Sequence, residues 1–450
     1  MRTVQKDIVA KYLAVYAEPE AKLGIRLQRH AEHVLVIPAQ AESISLLDGY
    51  RRAFATVSKQ GERTLCIVVV NSTDTHDSLV QQRNDALVHA LRTQGKASPL
   101  HQNGEAPCWC VETPEYDLVV LDRNSDGYQL PSGQGVGLAR KIGCDFALSA
   151  LHKGLNSSPL IHMTDCDVRL PSDYFNVTVP RSCAALTYRF THKASGNDQV
   201  DNAHAQYEAY LRYYVLGLRH AGSAYAFHTI GSCIAVTPTA YAAVRGVPKR
   251  QAGEDFYLLN KLAKVGHVRT SNNSPLTIQA RTSRRVPFGT GQATNDIIRN
   301  GSTYKIYNPR IFDLLKAWCR ALEAINDASV HSASKIVQHR AVSALDVIDR
   351  PHLRAALIAI GAPEALTTAA AQSPRPAIRQ KWLADWFDAF RTLKLVHALR
   401  KTGLPDIPWF LAIRNASFCR SAITKIHVED ANTTDAFKIC QRLALLEEEC

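Results

Sequence analysis

Asp165 and Asp167 stand one residue apart in P-L-I-H-M-T-D-C-D-V-R-L-P, directly after a short apolar run. Carboxylates beside a core strand are costly unless they are paired, hydrogen-bonded or bound to a metal. At the carboxyl edge of a sheet, two hard oxygen ligands suit Mg²⁺ or Mn²⁺ shared with a substrate diphosphate. A second acidic pair, Glu254 and Asp255 in G-E-D-F, opens a helix-like stretch. Acidic residues in a first helical turn commonly serve the macrodipole, but one aimed at a hydroxyl can act as a general base. A third feature is G-x-G-x-G at Gly133, Gly135 and Gly137, with Arg140 one helical turn further on. A dinucleotide fingerprint should follow the first strand of a β-α-β unit. Here the glycines follow the third, which disfavours a Rossmann dehydrogenase. Such a turn either lets a backbone approach a ligand or simply leads into a helix, and Arg140 is placed to meet an anion.

The elements that must carry these groups are legible in the hydrophobic pattern. H-V-L-V-I-P at 33–38, L-C-I-V-V-V at 65–70, Y-D-L-V-V-L at 116–121 and the run before Asp165 predict buried strands. Helical stretches over 42–58, 76–94 and 135–154 separate them. Continuous apolar strands alternating with helices predict an α/β fold with a mainly parallel sheet covered on both faces. Further on, 183–190 and 233–237 read as strands, and 202–220 and 254–264 as helices. Beyond 305 the pattern turns helical. Ile311, Leu314, Leu315, Trp318, Leu322 and Ile325 form one core-facing stripe, and Trp382, Trp386, Phe390 and Leu393 a second. The expected division is an N-terminal helical segment over 1–30, a catalytic domain over 31–305 and a mostly helical extension over 306–450.

Composition narrows the class. Of 450 residues, 46% are hydrophobic and 21% charged, as in ordinary globular proteins. No apolar run reaches the roughly 18 residues of a transmembrane helix, and the start of the chain lacks a signal-peptide pattern, so the expected compartment is the cytoplasm. Eleven scattered cysteines suggest reduced thiols rather than a disulfide framework. The net charge of +12 is compatible with phosphorylated substrates or an anionic membrane surface, and no nucleic-acid-binding module accompanies it. The apolar faces of the extension leave bracing of the catalytic domain, acceptor or partner binding, peripheral membrane contact and a homo-oligomer as its options.

The order of features carries more than any one of them. V-I-P-A at 36–39 with Glu42, V-V-N-S-T-D at 69–74, G-x-G-x-A-R at 135–140, D-x-D at 165–167 and G-E-D at 253–255 follow one another. Over about 33–290 this set resembles the GT-A nucleotide-sugar glycosyltransferases of family 2. The resemblance implies a GT-A-like sheet and transfer of a sugar from a nucleoside-diphosphate donor to an unidentified acceptor hydroxyl, inverting and metal-dependent. Pro38, Ala39, Glu42 and Asn71 would lie by the nucleotide, and Arg140 matches the basic residue of the glycine-rich turn. Asp165 and Asp167 would hold Mg²⁺ or Mn²⁺ and the donor, and Asp255 with Glu254 would form the catalytic-base position. His228 and His267 are candidates for a third metal ligand. Arg284 and Arg285 could grip the diphosphate or an anionic acceptor. The chain departs from the family pattern at Gln40, Ala41 and Asn71, which leaves the donor nucleotide open. It lacks the Q-x-x-R-W signature of processive synthases. A sugar nucleotidyltransferase and a non-catalytic sugar-nucleotide-binding protein are the competing readings. The first lacks its glycine-rich basic loop after the first strand; the second is opposed by the retained acidic pairs.

Overall fold

The computed structural model describes residues 2–75, 77–280, 290–300, 304–323, 343, 345–372, 375–423 and 436–449. They form two compact units. The sheet unit comprises Met1–Ser195 and Thr229–Gly289, and the helical unit Gly196–His228 and Thr290–Cys450. The units therefore interleave in sequence.

In the sheet unit, β1 (His33–Ala39), β2 (Thr64–Asn71), β5 (Tyr116–Arg123) and β6 (Ile161–Met163) run parallel in the order β6-β1-β2-β5. Every residue of β2 is buried, as is β1 beyond His33, because Val, Ile and Leu face helices on both sides. The other strands are β3 (Lys96–Pro99), β4 (Cys108–Glu112), β8 (Cys183–Thr187), β10 (Ile234–Val236) and β11 (His267–Thr270), giving the order β11-β8-β10-β6-β1-β2-β5-β4-β3. This sheet is mixed, not mainly parallel: β10 is antiparallel to β6 and β8, and β4 to β3 and β5. Only Thr113, Pro114 and Glu115 join β4 to β5, which is too short for a crossover and forces a hairpin. A small second sheet has the order β7-β12-β9, with β7 (Val168–Arg169), β9 (Phe190–Lys193) and β12 (Leu276–Gln279).

The helices of this unit are α1 (Arg2–Val15), α2 (Arg51–Lys59), α3 (Ser78–Arg92), α4 (Gly135–His152), α6 (Pro238–Ala243) and α7 (Glu254–Leu262), while α5 (Asp198–His220) belongs to the helical unit. Helix α4 lies on β1 and β2 and needs Gly143 to do so, since a Cβ there would overlap Val36. That close approach fixes Arg140 just below the carboxyl edge of the parallel strands.

In the helical unit, α5 packs with Arg310–Glu323 and Ala436–Glu449 around Tyr213, Phe312, Leu315, Trp318 and Leu443. The first stripe is buried at Ile311, Leu314, Leu315 and Trp318, with Leu322 at its edge; Ile325 lies outside the described residues. The second is split between the helices Pro376–Trp386 and Ala389–Thr402, with Leu393 half-buried on the latter. Leu383 and Phe387 carry the buried face, while Trp382 and Trp386 sit at the rim and Phe390 is exposed. No single helix among the described residues is long and apolar enough to cross a membrane. The pair Asp349–Ala359 and Ala362–Gln372, bent by 64°, passes that test only jointly. Its Leu353, Leu357 and Leu366 are part of the helical core.

Candidate functional site

Arg140 is the hub of the acidic residues singled out from the sequence. Its guanidinium donates through Nη2 to Asp165 Oδ1 and through Nη1 to Glu254 Oε1. These partners lie 25 and 114 residues away along the chain. The Arg140 and Glu254 side chains are each 5% exposed, whereas that of Asp165 is 36% exposed. Burial opposes the arginine's charge, but Asp165, Glu254 and Asp255 outweigh it, so its pKa rises and the cation is permanent. The enclosed guanidinium holds two carboxylates in place.

Gly231 makes room for this arrangement. It opens a short turn into β10, and a Cβ there would overlap the Arg140 guanidinium. The glycine-rich turn before α4 serves packing as well. Gly137 donates its amide to Arg250 O at 3.0 Å, and a Cβ on it would overlap the carbonyl of Pro248. Its close backbone approach is thus made to another loop of the chain.

Asp165 is anchored through its main chain. Its carbonyl accepts from the fully buried Tyr50 hydroxyl at 2.9 Å and from Val168 N at 3.2 Å, which turns the chain into β7. Asp167 is half-buried, and its carbonyl accepts Gln279 N at 2.9 Å from β12. Both carboxylates thus occupy a turn pinned from two sides. Between them, Cys166 donates its thiol to Pro38 O at 3.4 Å. Nearby Cys233 is buried, and that burial pushes its thiol up to about 12, so it stays protonated at neutral pH.

Gly253, at φ 71°, turns the chain into α7 and sets Glu254 and Asp255 in its first turn. Asp255 accepts the Phe256 amide at 2.7 Å. Its pKa is raised to about 7, first by loss of solvent and then by the Glu254 carboxylate, with Arg140 pulling the other way. Two adjacent carboxylates therefore differ: Glu254 is neutralised by an arginine, and Asp255 is proton-hungry. A carboxyl poised near neutrality is suited to proton transfer.

The other end of the parallel edge is built from amides. Asn71, 4% exposed, donates Nδ2 to Ala39 O at 3.0 Å and Val69 O at 3.1 Å. Its amino group is committed to the backbone. Pro38 and Ala39 are buried at the end of β1, and Glu42 is half-buried on the following loop. His228 belongs to the helical unit, where its Nε2 lies 2.8 Å from Glu447 Oε1. His267 is an exposed residue at the start of β11. Arg284 and Arg285 lie outside the described residues.

The structure thus brings together Arg140, Asp165, Glu254 and Asp255. Tyr50, Gly231 and Asn84, which the sequence does not single out, prove to support it or the loops beside it. Asn84 left a trace: it is a polar residue on the face of α3 that also buries Leu87, Val88 and Leu91. Comparison with protein-family models and with curated protein sequences yields no match.

Proposed function

We propose that this chain is a metal-dependent, inverting glycosyltransferase with a GT-A-like sheet unit, moving single sugars from a nucleoside-diphosphate donor to an acceptor hydroxyl. The observation that carries this reading is the Arg140 bridge. It joins a strand-end Asp-x-Asp to a helix start bearing a carboxyl with a pKa near 7.

Asp165 and Asp167 would hold Mg²⁺ or Mn²⁺. Among the described residues, no three His, Cys, Asp or Glu are grouped to hold a metal. A cation here would therefore take one or two carboxylates and complete its shell from phosphates and water, the habit of Mg²⁺ in nucleotide sites. Asp165 fits that mode, since Arg140 engages it through Oδ1 while over a third of its side chain stays open to solvent. When bound, the cation supplies charge that stabilises the departing diphosphate.

Asp255 accepts the proton of the acceptor hydroxyl as that oxygen attacks the anomeric carbon. The bond from the anomeric carbon to the phosphate oxygen breaks on the opposite face, the diphosphate leaves with the electron pair, and the sugar inverts. Glu254 touches no reactant in this scheme. Fixed by Arg140, it raises the proton affinity of Asp255.

Thermal-shift measurements with UDP-, GDP- and ADP-sugars, with and without Mn²⁺, test the reading. Wild-type protein and Asp255→Asn are expected to be stabilised by one nucleotide class only when Mn²⁺ is present, and Asp167→Ala by none. Metal-independent stabilisation that survives Asp167→Ala would sink it.

A further inference from the structure

Asn84 lies on α3, is fully buried and bonds to three separate chain segments at once. Its Oδ1 accepts the Ala41 amide at 2.7 Å, and its Nδ2 donates to Asn71 O at 2.9 Å and Asn124 Oδ1 at 3.0 Å. Asn124 in turn donates to Asp85 Oδ1 at 2.7 Å and Gln81 O at 3.2 Å, which ties its loop to the same helix. The three positions so joined lie just past β1, at the last residue of β2 and just past β5, at the carboxyl edge of the sheet.

The Ala41 contact has a specific consequence. Ala41 has φ 53°, in the left-handed region that a residue with a Cβ enters at a cost. Its amide is held there by Asn84, from a helix 43 residues away. The position requires an acceptor for Ala41 and donors for Asn71 and Asn124 on one short side chain. Aspartate offers no donor, and leucine or alanine offers neither kind of group. The flanking Gln40 and Glu42 are the loop residues beside Ala39, where the donor nucleotide is placed by the reading above.

We infer that Asn84 is a positioning residue: it locks Ala41, in the 40–42 loop, in its left-handed conformation and thereby sets donor-nucleotide affinity without touching the reacting atoms. This rests on the glycosyltransferase reading for the identity of the ligand, but not for the lock itself. The lock acts on ground-state binding, so its loss raises KM for the donor and spares kcat at saturating donor.

The experiment combines peptide-level hydrogen exchange with nucleoside-diphosphate binding in Mn²⁺ and donor kinetics on the full chain. Asn84→Ala is expected to speed exchange in peptides spanning 39–46 and weaken nucleotide binding about tenfold, the scale of a lost buried hydrogen bond. Adding Ala41→Gly, which removes the steric cost of the left-handed turn, is expected to recover part of that affinity. Should Asn84→Ala fail to fold, Ala41→Val in the wild-type background strains the same loop and is expected to raise KM alone. Faster exchange with unchanged affinity overturns the proposal, because Asn84 would then be structural only. A fall in kcat at constant KM, or no recovery from Ala41→Gly, overturns it too. Wild-type protein that binds no nucleoside diphosphate in Mn²⁺ overturns the parent reading and this proposal together.

Discussion

Each unit contains a buried arginine bound to two carboxylates, and the two clusters differ in what surrounds them. In the helical unit, Arg212 holds Glu208 at 2.6 Å and Glu447 at 2.5 Å, with side chains 4%, 6% and 9% exposed. His228 closes the remaining side of Glu447, and Arg219 donates to the Glu447 carbonyl at 2.7 Å. That network is enclosed, and it fastens Ala436–Glu449 to α5. In the sheet unit, Arg140 is as deeply buried, but its partner Asp165 is 36% exposed. A further carboxyl, Asp255, is left leaning toward its protonated form. A buried ion pair by itself says little about function, since desolvation cancels much of its attraction. An open carboxylate on one side and a perturbed one on the other distinguish the Arg140 cluster as a candidate site.

The largest expected effects separate the two arginines. Replacing either by methionine strands buried carboxylates and is expected to cost about 3–5 kcal/mol of stability by denaturant unfolding. Arg140→Met should also abolish sugar transfer by the fraction that stays folded, because Asp165 and Glu254 lose their common anchor. Arg212→Met should leave transfer per folded molecule unchanged. Equal losses of transfer in both variants would erase the distinction.

Asp255→Asn comes next. Loss of a general base is expected to slow transfer by about 10²–10⁴-fold while donor binding persists. Stability should not fall with it, because the variant removes a carboxylate whose ionisation the folded state resists. Preserved transfer would remove Asp255 from the reaction.

The pH dependence sharpens the contrast further. The folded-state pKa of Asp255 is raised from 3.8 to about 7, so the native state holds a proton that the unfolded state has released between those values. Its contribution to stability is full below about 4 and is lost as pH rises through about 7. Glu447 has the opposite sign. Burial alone would raise its pKa, but His228, Arg212 and Arg219 together bring it below 4.5. Its contribution is present above 4.5 and disappears as pH falls through the lowered folded value. Stability curves of Asp255→Asn and Glu447→Gln should therefore diverge from wild type at opposite ends of the range. The donor kcat/KM should fall below about pH 7 in wild type, as Asp255 takes up its proton.

The sequence made the parallel core and the acidic pairs legible, because buried strands are written as continuous apolar runs and carboxylates beside them are conspicuous. Beyond the parallel core it showed β8 and β10 as strands but not their antiparallel direction, and it did not show the shortest strands. The strands Lys96–Pro99 and Val168–Arg169 are too short for any periodicity to register. Arg140 was visible as a cation, but its partners were not, since one of them lies 114 residues downstream. A nearby glycine-rich turn suggested a ligand anion, and the structure adds two of the protein's own carboxylates beside the guanidinium. Asn71 shows the same limit from the other side. Its position at the end of β2 could be read, but of the two carbonyls that occupy its amino group, Ala39 O lies across on β1 and depends on strand register, while Val69 O is on β2 itself.

Tyr50→Phe should give the smallest effect, and it tests how the exposed side of the Arg140 cluster is held. The Tyr50 hydroxyl is buried and donates to the Asp165 carbonyl at 2.9 Å. Removing it does not orphan that carbonyl, which keeps the Val168 amide at 3.2 Å. The phenyl ring still fills the space. The expected cost is therefore that of one hydrogen bond, about 0.5–1.5 kcal/mol, rather than that of an unsatisfied buried group. If the hydroxyl only stabilises the turn, Mn²⁺-dependent donor affinity should match wild type once the loss in stability is allowed for. If it aims the Asp165 carboxylate, affinity should fall by up to about tenfold while kcat at saturation is unchanged. The second result would place the aiming of the open carboxylate in the buried layer beneath it, a support that the enclosed Arg212 network has no need of.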